Sequence, residues 1–243
     1  MRYLILFMFF VAIFVLGSRS CNGWSFPFGG VHGEGPVKTE NRQVSDFHAV
    51  DAGIPGQIEI NVSDRYSVEI QAQENLLPIL KTEVNNGKLR LYFDENVSHV
   101  KDLKVRISAP SFDALGLSGS GSMKVLSPLN GDKLDLSIGG SGEIDAPQVN
   151  VNNLECSISG SGNIRVAGKT TGARFEIAGS GDIAAKDMMA NTANAEIAGS
   201  GSVTCNVAQT LKASIAGSGD VYYTGTPSVD TDVAGSGKVK KVD

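Results

Sequence analysis

The tripeptide Gly-Ser-Gly occurs seven times, with its first glycine at Gly119, Gly140, Gly160, Gly179, Gly199, Gly217 and Gly235. Successive copies are 21, 20, 19, 20, 18 and 18 residues apart. Self-similarity at about 20 residues is the signature of stacked units, each too small to bury an apolar face alone. Columns aligned on that first glycine show what is buried. Two residues before it stand Leu117, Ile138, Ile158, Ile177, Ile197, Ile215 and Val233. Four after it stand Met123, Ile144, Ile164, Ile183, Val203, Val221 and Val239. The residues between are mostly polar, so each unit reads as strand, corner, strand, with alternation of period two on both sides. A helix is excluded, because β-branched residues follow the two-residue rhythm and glycines interrupt every window. A flexible Gly/Ser linker would not carry flanking Ile/Val columns. The seven glycines are therefore structural corners, where the chain turns through backbone angles that a Cβ forbids. The expected fold is all-β, a single-stranded β-helix or β-solenoid with coils of about 20 residues over 115–243.

Residues 37–114 form a less regular all-β part. Alternation starts at Phe47 and continues through Ile58/Ile60, Val68/Ile70, Leu89/Leu91 and Leu103/Val105/Ile107. Asn86-Gly87 lies between two such runs, and both residues accept positive φ, which predicts a tight hairpin. Leu76 to Leu80 reads as one helical turn, kept short by Pro78.

The N-terminus is a targeting segment rather than fold. Arg2 precedes an apolar run from Tyr3 to Leu16, followed by small and polar residues to Ser20. This is the layout of a secretory signal peptide over 1–20, shorter than the ~20 apolar residues of a membrane span. Cleavage after Ser20 would leave Cys21 first, a candidate lipid anchor of the bacterial lipoprotein kind. Residues 21–36, rich in Gly with Trp24, Phe26 and Phe28, read as a tether. Without residues 1–20 the chain has 19 basic against 26 acidic residues, a net charge of −7. An acidic chain without a basic run gains nothing from phosphate neutralisation, so nucleic acid is not an expected partner. Contact with a membrane is expected only through the candidate anchor. The repeat register puts Cys156 and Cys205 inward in different columns, about two strand spacings or ~10 Å apart, too far for a disulfide.

With these residues in view, the chain resembles a known family. Phe47-His48-Ala49-Val50, the Ile58/Ile60 and Val68/Ile70 strands, Asn85-Asn86-Gly87-Lys88-Leu89 and the repeated Ser/Ala-Gly-Ser-Gly-x-Ile/Val are similar to the bacterial head GIN domain. That family is named for autotransporter adhesins and is common in exported Bacteroidetes proteins. The resemblance covers about residues 33–241. It implies a right-handed solenoid in an envelope or cell-surface protein, and brings no catalytic motif.

The chemistry-bearing residues are sparse. His32, His48 and His99 lack metal-ligand spacing, and no cofactor is expected. Gly139-Gly140-Ser141-Gly142-Glu143-Ile144 has Ile where a calcium β-roll needs Asp, and the period differs. The outward columns beside the corners place Glu143, Asp145, Arg165 and Asp182 in one candidate surface patch across three coils. Two carboxyls about 5–10 Å apart in a cleft would serve glycoside hydrolysis, but a flat solenoid face offers no visible cleft. Aromatic platforms for sugars are thin: Tyr222 points outward and Tyr223 inward. Lys238, Lys240 and Lys241 are charges that discourage edge-to-edge stacking. The expected function is that of a non-enzymatic surface protein presenting a binding face to a glycan or protein. A carbohydrate-active enzyme, a carbohydrate-binding module and a purely structural envelope domain are the alternatives.

Overall fold

The structure is a computed structural model that describes residues 30–243. The expected signal peptide, Cys21 and most of the tether lie outside the described residues. Alternation of apolar and polar residues is what makes the strands, and the Gly-Ser-Gly corners decide how they stack.

The first strands are β1 (Val31–His32), β2 (Val37–Arg42), β3 (Ala49–Gly53), β4 (Gln57–Val62) and β5 (Ser67–Gln73). A 3-10 turn at Glu74–Leu76 leads to β6 (Leu80–Asn85), β7 (Lys88–Phe93), β8 (Val97–Ser98) and β9 (Lys104–Ala109). Thus the turn expected at Leu76 to Leu80 forms slightly earlier, and Leu80 already belongs to a strand. The repeats supply β10 (Ala114–Gly119), β11 (Ser122–Val125), β12 (Leu129–Gly140), β13 (Glu143–Gly160) and β14 (Asn163–Gly179). They continue through β15 (Asp182–Gly199), β16 (Ser202–Gly217), β17 (Asp220–Gly225), β18 (Ser228–Gly235) and β19 (Lys238–Lys241). No helix among the described residues is long and apolar enough to cross a membrane.

From β10 to β19 the coils stack as parallel ladders with the corners in register. Gly119, Gly140, Gly160, Gly179, Gly199, Gly217 and Gly235 pair successively. The strands before the corners build one face. Those after the corners build a second, and the short runs Leu129–Gly131, Val149–Val151, Gly168–Thr170 and Met188–Ala190 build the third side. Inside, Ile138, Ile158, Ile177, Ile197 and Ile215 are each 2% exposed. Burying each such side chain is worth about 1.5–3 kcal/mol, so this column is a main source of stability.

The corners are tight for a definable reason. Gly179 has φ +138°, and a Cβ there would lie 2.2 Å from the Gly160 carbonyl oxygen of the coil below. At Gly181 a Cβ would lie 2.3 Å from the Gly162 oxygen and 2.8 Å from Ile158 Cγ2. Close approach is what lets the serine's backbone N–H donate to the preceding coil. Ser161 donates to Gly140 at 2.9 Å, Ser180 to Gly160 at 2.8 Å and Ser200 to Gly179 at 2.9 Å. The serine therefore stacks mainly through its backbone.

The parallel stack also runs into the N-terminal part, by a route that has no fixed period. β3 and β4 form a coil whose corner is Ile54-Pro55-Gly56. β10 lies over β3, with Leu115 on Val50, and β11 lies over β4, with Met123 on Ile58. β7 and β9, which come later in the chain than β3 and β4, pair parallel with them on the opposite side, Leu89 beside Val50 and Val105 beside Ile58. This end is then closed by antiparallel strands: β6 on β7, β5 on β9 and β2 on β5. The β6–β7 turn is the expected hairpin, with φ +51° at Asn86 and +74° at Gly87. At the other end, among the described residues, β18 pairs only with β16 and β19 only with β17.

Candidate functional site

The candidate patch lies on the face after the corners. Glu143 and Asp182 share one outward column with Asn163 between them, and Asp145 stands beside Arg165 in the next. Glu143, Arg165 and Asp182 are exposed and Asp145 is half-buried. Two strand spacings, about 10 Å, separate Glu143 from Asp182. Asp182 is occupied structurally: it accepts the Ser202 backbone N–H at 3.1 Å and the Ser202 hydroxyl at 2.5 Å. Asp220 repeats the arrangement two coils further, accepting the Lys238 N–H at 2.9 Å and the Tyr222 hydroxyl at 3.0 Å. The bond to Asp220 raises the pKa of the Tyr222 hydroxyl. These carboxylates tie one coil to the next beside the corners.

The face before the corners carries more relief. A groove of about 770 Å³ runs along it from Ser118 to Ala234, crossing successive coils. Its floor is the outward column next to the corner, made of Gly139, Ser159, Ala178, Ala198 and Ala216. Its wall is the next outward column, with Ser137, Ser157, Glu176, Glu196 and Ser214. The trough is walled over its middle coils, where Glu176 and Glu196 stand above Ala178 and Ala198. A second hollow of about 460 Å³ lies on the other side of this wall, among Lys133, Glu155, Arg174 and Asn194. The wall is held by charge: Arg174 pairs with Glu176 and, at 3.3 Å, with Glu196. The Asn194 amide adds a bond of 2.7 Å to Glu196. The Arg174 pKa is raised, chiefly by its bond to Glu176. Chemically, this is a long polar-walled trough with a floor of methyl groups and backbone, suited to an extended ligand held by many weak contacts. Sequence reading missed it, although its signal was present as the Ser/Ala that precedes each later corner.

The histidines are placed less independently than their spacing predicts. His32 and His99 meet at the β1–β8 edge with Nδ1 atoms 3.0 Å apart, while His48 pairs with Asp113 at 2.9 Å. Among the described residues no group of three His, Cys, Asp or Glu side chains is placed to hold a metal ion. Cys156 and Cys205 are buried free thiols, as the register predicts. Burial pushes the Cys205 thiol up to about 12 and Cys156 higher still. Tyr223 packs against the core and Tyr222 is half-buried.

Solved structures share the architecture. A putative adhesin from Bacteroides fragilis superposes with a TM-score of 0.81 at 25% identity, over 88% of this chain and 100% of that one. A putative lipid binding protein from Parabacteroides distasonis gives 0.75 at 28% identity, over 88% and 99%. A putative adhesin from Parabacteroides merdae gives 0.72 at 26% identity, again over 88% and 99%. No curated protein matches the sequence. The family model described as "Putative auto-transporter adhesin, head GIN domain" matches residues 46–227. With the seven stacked corners and that match over most of its length, the chain belongs to the head GIN domain family.

Proposed function

We propose that the chain is an exported, non-enzymatic surface protein whose rigid solenoid presents the groove before the corners to an extended ligand, a glycan chain or a polypeptide segment. The observation that carries this reading is the groove itself, continuous over successive coils at about 770 Å³. Rigidity supports it: a ladder-bonded wall loses little conformational freedom when a ligand lies along it, so weak contacts are not offset by ordering costs. The family and two of the structural neighbours carry the adhesin name. The lipid-binding name of the Parabacteroides distasonis neighbour suggests a different ligand. Here the interior is filled by side chains such as Ile158 and Phe175, at 2% and 1% exposure, so an acyl chain would have to lie outside the solenoid. Export rests on the signal-peptide pattern of residues 1–20, and anchoring on Cys21.

A glycan array probed beside a polysaccharide-cleavage assay tests the reading. Binding without cleavage is expected, abolished by Ala198→Trp, which fills the groove floor, and retained by Glu143→Ala on the other face. Cleavage would show an enzyme. Binding that survives Ala198→Trp would move the site off the groove, and neither binding nor cleavage would leave a polypeptide ligand or a structural envelope domain. Lipid labelling of the wild type and Cys21→Ser tests the anchor, and equal labelling would dismiss it.

A further inference from the structure

The open end of the solenoid is built differently from the coils beneath it. In the column where Ile215 is 2% exposed, Val233 is 41% exposed, and Val229 is 36% exposed. Among the described residues, β18 and β19 are paired below with β16 and β17 and with no strand above. Together they present backbone donors and acceptors beside the exposed Val229 and Val233 of β18 and the half-buried Val239 of β19, a combination that recruits another strand. Their outward charges are opposite in sign. β18 carries Asp230 and Asp232, while β19 carries Lys238 and Lys240.

We propose that two copies of this chain join end to end through these last coils, about a two-fold axis that passes through the Ser236 corner. β18 runs towards the corner and β19 away from it, so this rotation lays each β18 antiparallel on the partner's β19. Residues equally distant from Ser236 then face one another. Val233 meets the partner's Val239 on the inward side, and Asp232 meets the partner's Lys240 on the outward side. Both pairs occur twice by symmetry, and the apolar interiors of the two solenoids become continuous. Opposite charges directly across a strand pair are favourable and like charges unfavourable. The competing two-fold, β18 on the partner's β18, sets aspartate against aspartate. Stacking the open end on the capped end of another copy would oppose it to antiparallel strands β2 and β6 rather than a parallel coil. The lysines at this edge thus discourage most stackings and select one.

Sedimentation velocity on the purified protein over a concentration series tests this. The expected result is a reversible dimer that goes no further. Asp232→Lys or Lys240→Asp alone raises Kd at least about tenfold, the equivalent of about 1.4 kcal/mol. The doubly exchanged protein, Asp232→Lys with Lys240→Asp, regains dimerisation. Both side chains are exposed, so unchanged thermal unfolding of the variants shows that the fold is intact. A wild type that stays monomeric, an open polymer, a dimer indifferent to the single reversals, or a double exchange that fails to restore it would each overturn the proposal.

Discussion

The two ends of this molecule solve the same problem in opposite ways. At the N-terminal end the ladder is closed by antiparallel strands, and the core beneath is sealed: Ile58, Ile60, Val105 and Ile107 are all fully buried, at 0% exposure. At the C-terminal end the repeat simply continues to β18, every residue of which is exposed. A repetitive sequence is good at propagating a stack and poor at ending one, because a coil identical to its neighbours always offers a fresh edge. Termination needs sequence that breaks the pattern. The N-terminal part breaks it with antiparallel pairing, including the β6–β7 hairpin, with the Ile54-Pro55-Gly56 corner and with a salt-bridged edge, where Arg106 joins Glu59 and Glu69. Among the described residues, the C-terminal strands break it with charge, at Asp230, Asp232, Lys238 and Lys240.

The largest loss of stability is expected at the corners in mid-stack. Gly179→Ala should cost about 1–3 kcal/mol in backbone strain and a further ~1–3 kcal/mol in overpacking against the coil below. Gly139→Ala, where a Cβ meets nothing within 4 Å, should leave the denaturant midpoint unchanged or slightly higher. Next in size is the inward column. Ile177→Ala should cost about 2–5 kcal/mol, whereas Val233→Ala, measured on dilute monomer, should cost under ~1 kcal/mol. Equal costs in urea unfolding would mean that the open end is as well packed as the middle. A smaller effect concerns the capped end. Bonds from Lys104 hold the Glu59 carboxyl below the usual carboxylate range, with Arg106 adding to the shift and partial burial opposing it. A carboxyl whose pKa is depressed in the fold contributes stability above its unfolded pKa and loses it as pH falls through the lower folded value. Acid titration of the wild type should therefore loosen β4–β9, and Glu59→Gln should remove that component, by ~1 kcal/mol or less for so exposed a network. Smallest in energy but sharp in readout are the thiols. Cys156 and Cys205 should resist alkylation in the folded protein and react on unfolding, because burial keeps both protonated.

The contrast also explains what could be read from the sequence. Corners, inward columns and the free cysteines were legible because a stacked repeat writes each buried position several times over. The hairpin at Asn86-Gly87 was legible because two positive-φ residues between strands have few other uses. The membership of β3, β4, β7 and β9 in the same stack was not. Their strands were recognisable, but the chain visits them out of spatial order and through connections of unequal length, so no period survives. The groove was half legible. Ala178, Ala198 and Ala216 were visible as a column, yet a hollow depends on the relative height of two columns, and Glu176 and Glu196 had to be seen beside them. Glu143, Asp145, Arg165 and Asp182 stand in neighbouring outward columns of one face, but Asp182 is bound to the next coil, which gives it a structural task.

Amide hydrogen exchange on dilute, monomeric protein tests the central claim most directly, namely that the corners form one ladder whose protection fades towards an open end. The corner amides of Ser161, Ser180 and Ser200 should exchange only with global unfolding, while those of Ser236, Gly237 and the β18–β19 strands should exchange orders of magnitude faster. Uniform protection from Ser161 to Lys241, or rapid exchange at the central corners, would contradict the account.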